Sequence, residues 1–283
     1  MPRADLRELL RIARRESDLP LIMGVINMTP DSFSGDGLLS GNGFLLDHAL
    51  RLIDSGAQIL DIGAESTRPG SRPISLEEER SRLFPAIEAL AQIPVPLSID
   101  TRRPEIFREA IPFGATLIND VGGLKDPGFI DILQEHPEAM AVVMHMKGTT
   151  ETMQRAPFYK DVMAEVQDFF TERVSTLGRS GIGSDRLIFD PGLGFGKTVE
   201  HNFTLLRHMD AFLGNGPLLI APSRKRFLDD AAHPSPPEGR DIPTAAVMAW
   251  CTLHGAALFR THRPDIAFQI RRVLRSIEGG GGE

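Results

Sequence analysis

The chain has 283 residues, of which 41% are apolar and 24% charged, and its 27 glycines and 21 prolines are too few for a low-complexity disordered protein. Its formal net charge of −7 argues against a general nucleic-acid-binding surface, and no apolar run reaches the roughly 18 residues that a membrane span needs. The single cysteine, Cys251, excludes an internal disulfide and a cysteine-based zinc cage, so we expect a cytoplasmic enzyme that binds neither nucleic acid nor membranes.

The amino-terminal segment is expected to form a short amphipathic helix. Within residues 3–17, apolar side chains recur at roughly helical spacing among arginines, at Leu6, Leu9, Leu10 and Ile12. A transit peptide is the other interpretation, but such peptides are poor in acidic residues, and this segment contains Asp5, Glu8 and Glu16. We therefore expect a helical extension over residues 1–18, one domain over residues 19–276 and a flexible, glycine-rich tail over residues 277–283.

Short apolar runs rich in Ile, Val and Leu recur eight times along the chain. They begin at Leu21, Ile59, Pro96, Leu117, Ala141, Leu187, Leu218 and Ala257. Continuous runs of this length are typical of strands buried on both faces, as in a parallel sheet. Helical patterns occupy most intervals, such as residues 44–56, 75–92 and 162–178, and Gly56 and Gly178 predict left-handed turns where two of these helices end. Eight strand–helix repeats predict an α/β protein with a single (β/α)8 TIM barrel rather than an open doubly wound sheet.

Polar residues follow almost every one of these apolar runs. They are Asn27, Asp61, Asp100, Asn119, Asp120, His145, Asp190, Ser223, Arg260 and His262. One such residue would be explained by helix capping, but ten at successive strand ends are not. Because catalytic groups of (β/α)8 barrels come from the carboxyl ends of the strands, the pattern predicts one pocket.

Longer stretches carry a family resemblance. They are GVINMTPDSFSGDG (24–37), GAQILDIGAESTRPG (56–70), SIDTRRPE (98–105), INDVGG (118–123), MHMKGTTETMQ (144–154), DPGLGFGKTVEHN (190–202), SRKRF (223–227) and RTH (260–262). In this order and spacing, over essentially residues 20–270, they resemble dihydropteroate synthase. The resemblance implies a folate-pathway transferase that joins 6-hydroxymethyl-7,8-dihydropterin pyrophosphate to para-aminobenzoate through an SN1-like pterin cation. The products are 7,8-dihydropteroate and pyrophosphate, and sulfonamides compete for the para-aminobenzoate site.

The resemblance also implies a role for particular residues. The pterin site is expected to contain Asp100, Asn119, Met144, Asp190 and Lys225. Carboxylates fixed in a dry site stabilise developing positive charge, so Asp100 and Asp190, together with Lys225, are the expected catalytic residues.

The leaving group is polyanionic, whereas the protein is acidic, so local cations are needed to bind it. By resemblance, pyrophosphate contacts Asn27, Arg260 and His262, and Asn27 also binds Mg²⁺. Magnesium uses few protein ligands when phosphate oxygens are present, so the lack of an acidic cluster does not exclude it.

The para-aminobenzoate site is expected to be built by residues from several loops. They are Thr67, Arg68, Pro69, Phe33, Phe195 and Ser223. Residues 30–37 and 66–70 are rich in Gly, Pro and Ser, which is typical of loops that become ordered on binding. A homodimer is expected by resemblance.

Four positions depart from the family pattern, and two other functions stay open. Ala64, Ala221-Pro222, Arg263 and Gly35 stand where the family has other residues. A methyltetrahydrofolate:corrinoid methyltransferase would share the pterin-binding residues but has no need for the loop STRPG or for SerArgLys. A non-catalytic pterin-binding paralogue would usually lose Lys225 or the loop residues, and both are present.

Overall fold

Eight parallel strands form the centre of the molecule, as the apolar runs predicted. The computed structural model describes residues 4–13, 19–29, 42–67, 70–229 and 235–279. The strands are β1 (Leu21–Asn27), β2 (Ile59–Gly63), β3 (Leu97–Asp100), β4 (Ala115–Asp120), β5 (Met140–Met144), β6 (Leu187–Asp190), β7 (Leu219–Ile220) and β8 (Leu258–Thr261). They pair in the order β6-β5-β4-β3-β2-β1-β8-β7, and a parallel bridge between Phe189 and Leu218 joins the two ends of this sheet. The expected (β/α)8 barrel is confirmed.

In the described residues a helix follows each strand along the chain, and one further helix precedes β1. They are α1 (Leu6–Ile12), α2 (Asn42–Asp54), α3 (Leu76–Ala89), α4 (Pro104–Ala110), α5 (Pro127–Glu135), α6 (Val162–Arg179), α7 (Val199–Arg207), α8 (Asp241–Leu253) and α9 (Pro264–Ile277). In the part of the chain that the structure describes, none of these helices is long and apolar enough to cross a membrane.

Two glycines were predicted to end helices in a left-handed turn, and one of these predictions is wrong. Gly56 has φ +104° just after α2, as expected. Gly178 instead lies within α6, and the left-handed residue is Gly181, with φ +79°. The amide of Ile182 then donates to the carbonyl of Leu177, which closes the helix end around Gly181.

Side chains of each strand alternate between two apolar layers. In β1, Ile22 and Ile26 belong to the layer between barrel and helices, whereas Leu21 and Met23 belong to the cluster inside the barrel. The inward positions become polar two residues further along four other strands, in the pairs Ile59 and Asp61, Leu117 and Asn119, Ile188 and Asp190, and Leu258 and Arg260. The period of two therefore collects polar side chains inside the carboxyl end of the barrel.

Helix α1 closes the opposite end. Its Leu6 and Leu10 are buried in the cluster inside the barrel. The amide of Ala4 donates to the carbonyl of Pro94 at 3.1 Å, and Arg7 Nη2 donates to the carbonyl of Pro137 at 2.5 Å. Because both prolines precede strands, α1 lies across the amino ends of the strands and leaves the carboxyl end free for a site.

Candidate active site

A half-buried arginine joins two carboxylates at the carboxyl end of the barrel. Arg260 Nε donates to Asp61 Oδ2 at 2.6 Å, and its Nη2 donates to Asp100 Oδ2 at 2.8 Å. Asp61 is fully buried and also accepts from Ser98 Oγ at 2.6 Å and from Asn119 Nδ2 at 3.2 Å. These contacts link β2, β3, β4 and β8, so the strand ends hold the polar layer in place.

The two candidate pterin carboxylates have displaced pKa values. Burial raises the pKa of Asp100 to about 7, although the positive charge of Arg260 opposes the rise. Burial also raises the pKa of Asp190, against the charge of Lys225 and a hydrogen bond from the amide of Gly192 at 2.7 Å. Both carboxyls are therefore placed where a cationic ligand would favour their ionised forms.

Lys225 lies among an anion, a carbonyl and an aromatic ring. Burial lowers its pKa to about 8, and the charge of Asp190 opposes that change. Its Nζ donates to the carbonyl oxygen of Leu193 and lies 4.7 Å from the centroid of the Phe195 ring. The structure thus brings three predicted site residues together at the ends of β6 and β7.

A histidine joins the ends of β1, β7 and β8. His262 Nδ1 lies 3.0 Å from Ser223 Oγ, and its Nε2 lies 3.4 Å from Asn27 Nδ2. The backbone amide of His262 also donates to Ser223 Oγ at 3.1 Å. With the Asn27 amide donating to Nε2, the ring proton is assigned to Nδ1. Predicted residues of the pyrophosphate site and of the para-aminobenzoate site therefore touch through one imidazole.

Met144 supplies an apolar wall beside Asp190. It ends β5, is almost fully buried and is paired in register with Asp190 on β6. Phe195 packs partly buried against the same inner cluster that contains Met144. The pocket therefore has an apolar side next to its carboxylates.

The loop after β2 is fixed at both of its ends. The side chain of Glu65 is 6% exposed and forms ion pairs with Arg102 and Arg103. The amide of Gly70 donates to the carbonyl of Thr150 at 2.9 Å. Half-buried Thr67 lies between these fixed points. Three other predicted members of the para-aminobenzoate site lie outside the described residues: Phe33, Arg68 and Pro69.

The residues present can accommodate a magnesium ion through one ligand rather than a cage. In the described ranges, no group of three or more His, Cys, Asp or Glu side chains could hold a metal ion. Asn27 turns its amide nitrogen to His262, which leaves its Oδ1 as a hard oxygen ligand. That donor set fits an ion that takes its remaining ligands from phosphate oxygens and water.

Two polar residues at the strand ends form hydrogen bonds to neighbouring groups of the protein. Asp120 accepts from the amides of Gly122 and Leu124 and shapes its own turn. His145 accepts at Nδ1 from Lys197 Nζ at 3.0 Å, and burial followed by the charge of Lys197 lowers its pKa to about 2. His145 is therefore neutral and forms its described hydrogen bonds within the protein.

Asp61 is a central member of the site that the sequence analysis left without a role. The sequence does contain an indication of this role. Asp61 lies two residues after inward-facing Ile59 on the same strand, so its side chain must point the same way. Lys197 was also missed, and no local pattern indicates that a lysine after a glycine-rich loop is buried.

Two of the four departures from the family pattern, at Arg263 and Ala64, are accommodated in the described structure, and Gly35 lies outside the described residues. Arg263 pairs with Asp265 and Asp241, so it does not replace a partner of the His262 ring. Ala64 is fully buried and is not among the described non-glycine residues with positive φ, so its methyl group needs no strained backbone.

The chain is similar to proteins of known activity along most of its length. The family described as "Pterin binding enzyme" matches residues 23–262. The dihydropteroate synthase of Escherichia coli (strain K12) is 39% identical over 259 residues, which cover 91% of this chain and 91% of that protein. The Yersinia pestis dihydropteroate synthase solved with a sulfonamide drug complex has a TM-score of 0.85 and 35% identity, covering 92% of this chain and 95% of that one. The Xanthomonas albilineans dihydropteroate synthase solved with 4-aminobenzoic acid has a TM-score of 0.84 and 40% identity, covering 92% and 94%. The chain therefore belongs to the dihydropteroate synthase family of pterin-binding enzymes.

Proposed function

We propose that the pocket at the carboxyl end of the barrel condenses 6-hydroxymethyl-7,8-dihydropterin pyrophosphate with para-aminobenzoate, giving 7,8-dihydropteroate and pyrophosphate. The observation that carries the proposal is the buried polar layer in which Arg260 bridges Asp61 and Asp100 with Asn119 beside them. Carboxylate and amide groups on fixed strand ends match the donor–acceptor edge of a pterin. Membership of the dihydropteroate synthase family supports the same reaction.

The pterin is assigned to the strand ends. Asp100, Asn119 and Asp190 bind its polar edge, Met144 lies against its ring, and Lys225 donates to an acceptor on it. As the bond to pyrophosphate breaks, positive charge develops on the pterin methylene. Ionised Asp100 and Asp190 stabilise that charge with little reorganisation, because the barrel already holds them in position.

Pyrophosphate is assigned to Asn27, Arg260 and His262. Arg260 uses Nε and Nη2 for its carboxylates, so Nη1 is the nitrogen that we assign to a phosphate oxygen. Asn27 Oδ1 is the protein atom that would hold Mg²⁺. When bound, magnesium neutralises negative charge on the leaving pyrophosphate.

Para-aminobenzoate is assigned to Thr67, Ser223 and Phe195, together with Phe33, Arg68 and Pro69. Ser223 Oγ already accepts from the amide of His262, so its own O–H is suited to donate to the substrate carboxylate. Once the carbon–oxygen bond to pyrophosphate has broken, the substrate nitrogen bonds to the cationic pterin methylene, and the proton that it loses passes to the departing pyrophosphate. Ordering of the loops around this site would keep water from capturing the cation.

The experiment that tests the function is pyrophosphate release from the dihydropterin pyrophosphate, with and without para-aminobenzoate and Mg²⁺. The dihydropteroate formed is measured by mass in the same samples. We expect release to require para-aminobenzoate and to equal the dihydropteroate formed. Lys225→Ala should lose about 100-fold or more in turnover while the fold survives, with Lys160→Ala, an exposed lysine, as its matched control.

Three results would contradict the proposal. A near-normal rate in Lys225→Ala would remove that lysine from the reaction. Pterin binding without turnover would favour the non-catalytic paralogue. Methyl transfer from methyltetrahydrofolate to a corrinoid, with no dihydropteroate formed, would favour the methyltransferase.

We also propose that the protein works in the cytoplasm as a homodimer. The lone, buried Cys251 suits a reducing compartment. Helices α8 and α9 contact each other and carry large apolar side chains that are exposed in the single chain: Trp250, Leu253, Phe268, Val273 and Ile277. Grouped apolar side chains at a surface favour an interface. Sedimentation equilibrium should give twice the mass of one chain, and a Leu253→Glu variant should give a smaller species; a monomer at every concentration would contradict the dimer.

A further inference from the structure

The side chain of Lys197 is buried, and its nitrogen contacts several acceptor groups of the protein. It is 3% exposed, and its Nζ lies 3.0 Å from the carbonyl oxygens of both Gly192 and Phe195. The same nitrogen lies 3.3 Å from the carbonyl oxygen of His145 and 3.0 Å from that residue's Nδ1. Because every neighbour is an acceptor, the ammonium acts as a shared donor between two stretches of backbone.

Those two stretches are the loops after β6 and β5. Two of the carbonyls belong to residues 192–197, and the third belongs to His145. A Cβ added at Gly192 would overlap the carbonyl of His145, and one added at Gly196 would overlap the carbonyl of Lys147. The backbones are thus in direct contact, and Lys197 joins them from within.

The loop that Lys197 holds presents two groups to Lys225. The carbonyl of Leu193 accepts from Lys225 Nζ, and the ring of Phe195 lies 4.7 Å from the same nitrogen. Any shift of residues 192–197 therefore moves both groups relative to Lys225. We propose that Lys197 is a positioning residue that sets the para-aminobenzoate side of the pocket by fixing the loop that carries Phe195.

This inference rests on the proposed function for the identity of the second substrate. It also predicts that loss of the Lys197 side chain changes the affinity for one substrate much more than the affinity for the other. Asp100 and Asn119 lie on strands whose backbone is held by the sheet. Asp190 is held in the same way by β6, and its one described contact with the loop is the hydrogen bond from the amide of Gly192. Phe195 is itself part of the loop, so the position of its ring depends on where the loop is held. Loss of the Lys197 ammonium should therefore weaken binding of para-aminobenzoate much more than binding of the pterin.

The test compares wild type with Lys197→Met, which keeps the length of the side chain, and with Lys160→Met as the matched control. Calorimetry measures the Kd of the dihydropterin pyrophosphate, and then the Kd of para-aminobenzoate with pyrophosphate and pterin present. In Lys197→Met we expect the para-aminobenzoate Kd to rise about tenfold or more, since small misplacement of a positioning group costs up to roughly 100-fold. The pterin Kd should stay within about threefold, and the control should match wild type.

Lys197→Gln, which keeps a donor without the charge, repeats the test if the methionine variant does not fold, and its para-aminobenzoate Kd should rise less than tenfold. Equal changes for both substrates, or no change for either, in a folded variant would overturn the proposal. The binding measurements need no turnover. Absence of dihydropteroate formation by wild type would therefore count against the proposed function, whereas the ratio of the two Kd values alone decides the role of Lys197.

Discussion

At the residue scale, burial and an ion pair act in opposite directions on the carboxyl group of Asp100. Burial raises its pKa to about 7, and Arg260 restrains the rise. Because the pKa is raised above its ordinary value, folding favours the protonated form. That contribution to stability is complete at acidic pH and is lost as pH rises through about 7. The ionised form, which stabilises a pterin cation, becomes the main form only above this pH.

We expect kcat/KM for the pterin substrate to rise along an acid limb near pH 7, because this parameter reports groups of the free enzyme. Arg260→Gln removes the charge that restrains the pKa of Asp100, so the limb should move to higher pH. Measured pH profiles of both proteins check this. A limb that stays in place in Arg260→Gln would show that a group other than Asp100 sets it.

Asp61→Asn should destabilise the fold as well as the site. Asp61 is fully buried and pairs with half-buried Arg260, which keeps Asp100 as a second partner. Removing one partner of a buried ion pair costs about 3–5 kcal/mol, and because Asp100 still compensates the arginine we expect a loss of about 3 kcal/mol, at the lower end of that range. Urea unfolding measures the change in the free energy of unfolding. Ser98→Ala is the matched control, since it removes only one hydrogen bond to the same carboxylate, worth about 1 kcal/mol. Equal losses in the two variants would contradict the ion-pair argument.

At the element scale, the loop between β6 and α7 contains glycines in left-handed backbone at which an added Cβ would meet a neighbouring carbonyl. Gly196 has φ +65°, and a Cβ there would overlap the carbonyl of Lys147. Gly181, after α6, has φ +79° but no atom within 4 Å of an added Cβ. An alanine at either position would carry the cost of left-handed backbone, but only at Gly196 would its Cβ clash with a neighbouring carbonyl.

We therefore expect Gly181→Ala to lower the free energy of unfolding by about 1–2 kcal/mol, which is the cost of left-handed backbone alone. Gly196→Ala should lose clearly more and should also raise the KM for para-aminobenzoate, because the loop that carries Phe195 must move. Urea unfolding and steady-state kinetics of both variants check this. The same loss of stability in both would show that the loop absorbs the methyl group.

The elements show how far the sequence can predict the site. Asp100, Asn119 and Asp190 could be placed because each ends an apolar run, and strand ends of a barrel converge. The pair between Asp61 and Arg260 joins residues 199 positions apart, so no local pattern indicates it. Burial of Lys197 depends in the same way on the neighbouring loop. Phe33, Arg68 and Pro69 lie outside the described residues, so their roles stay predictions.

At the scale of the whole molecule, the two ends of the barrel have separate tasks. The carboxyl end carries the polar layer, and α1 fills the amino end with Leu6 and Leu10. We therefore expect packing at the amino end to stabilise the fold without affecting the reaction at the carboxyl end.

Leu10→Ala should test that separation. Truncating a buried leucine leaves a cavity, and we expect the free energy of unfolding to fall by about 2–4 kcal/mol while kcat and both KM values stay unchanged. Leu46→Ala, at a leucine that is 37% exposed on α2, is the matched control and should change stability by less than about 0.5 kcal/mol. Thermal unfolding and kinetics check both variants. A large fall in kcat with Leu10→Ala would contradict the independence of the two ends.

Trp250 gives the protein a built-in optical probe. It is the one tryptophan of the chain, and it stacks on the ring of His254 with 4.0 Å between centroids while its Nε1 donates to the carbonyl of Leu206. It lies on the outer ring of helices, on the face proposed to meet a second copy. Its intrinsic fluorescence should therefore follow subunit association, and occupancy of the pocket should leave its emission unchanged.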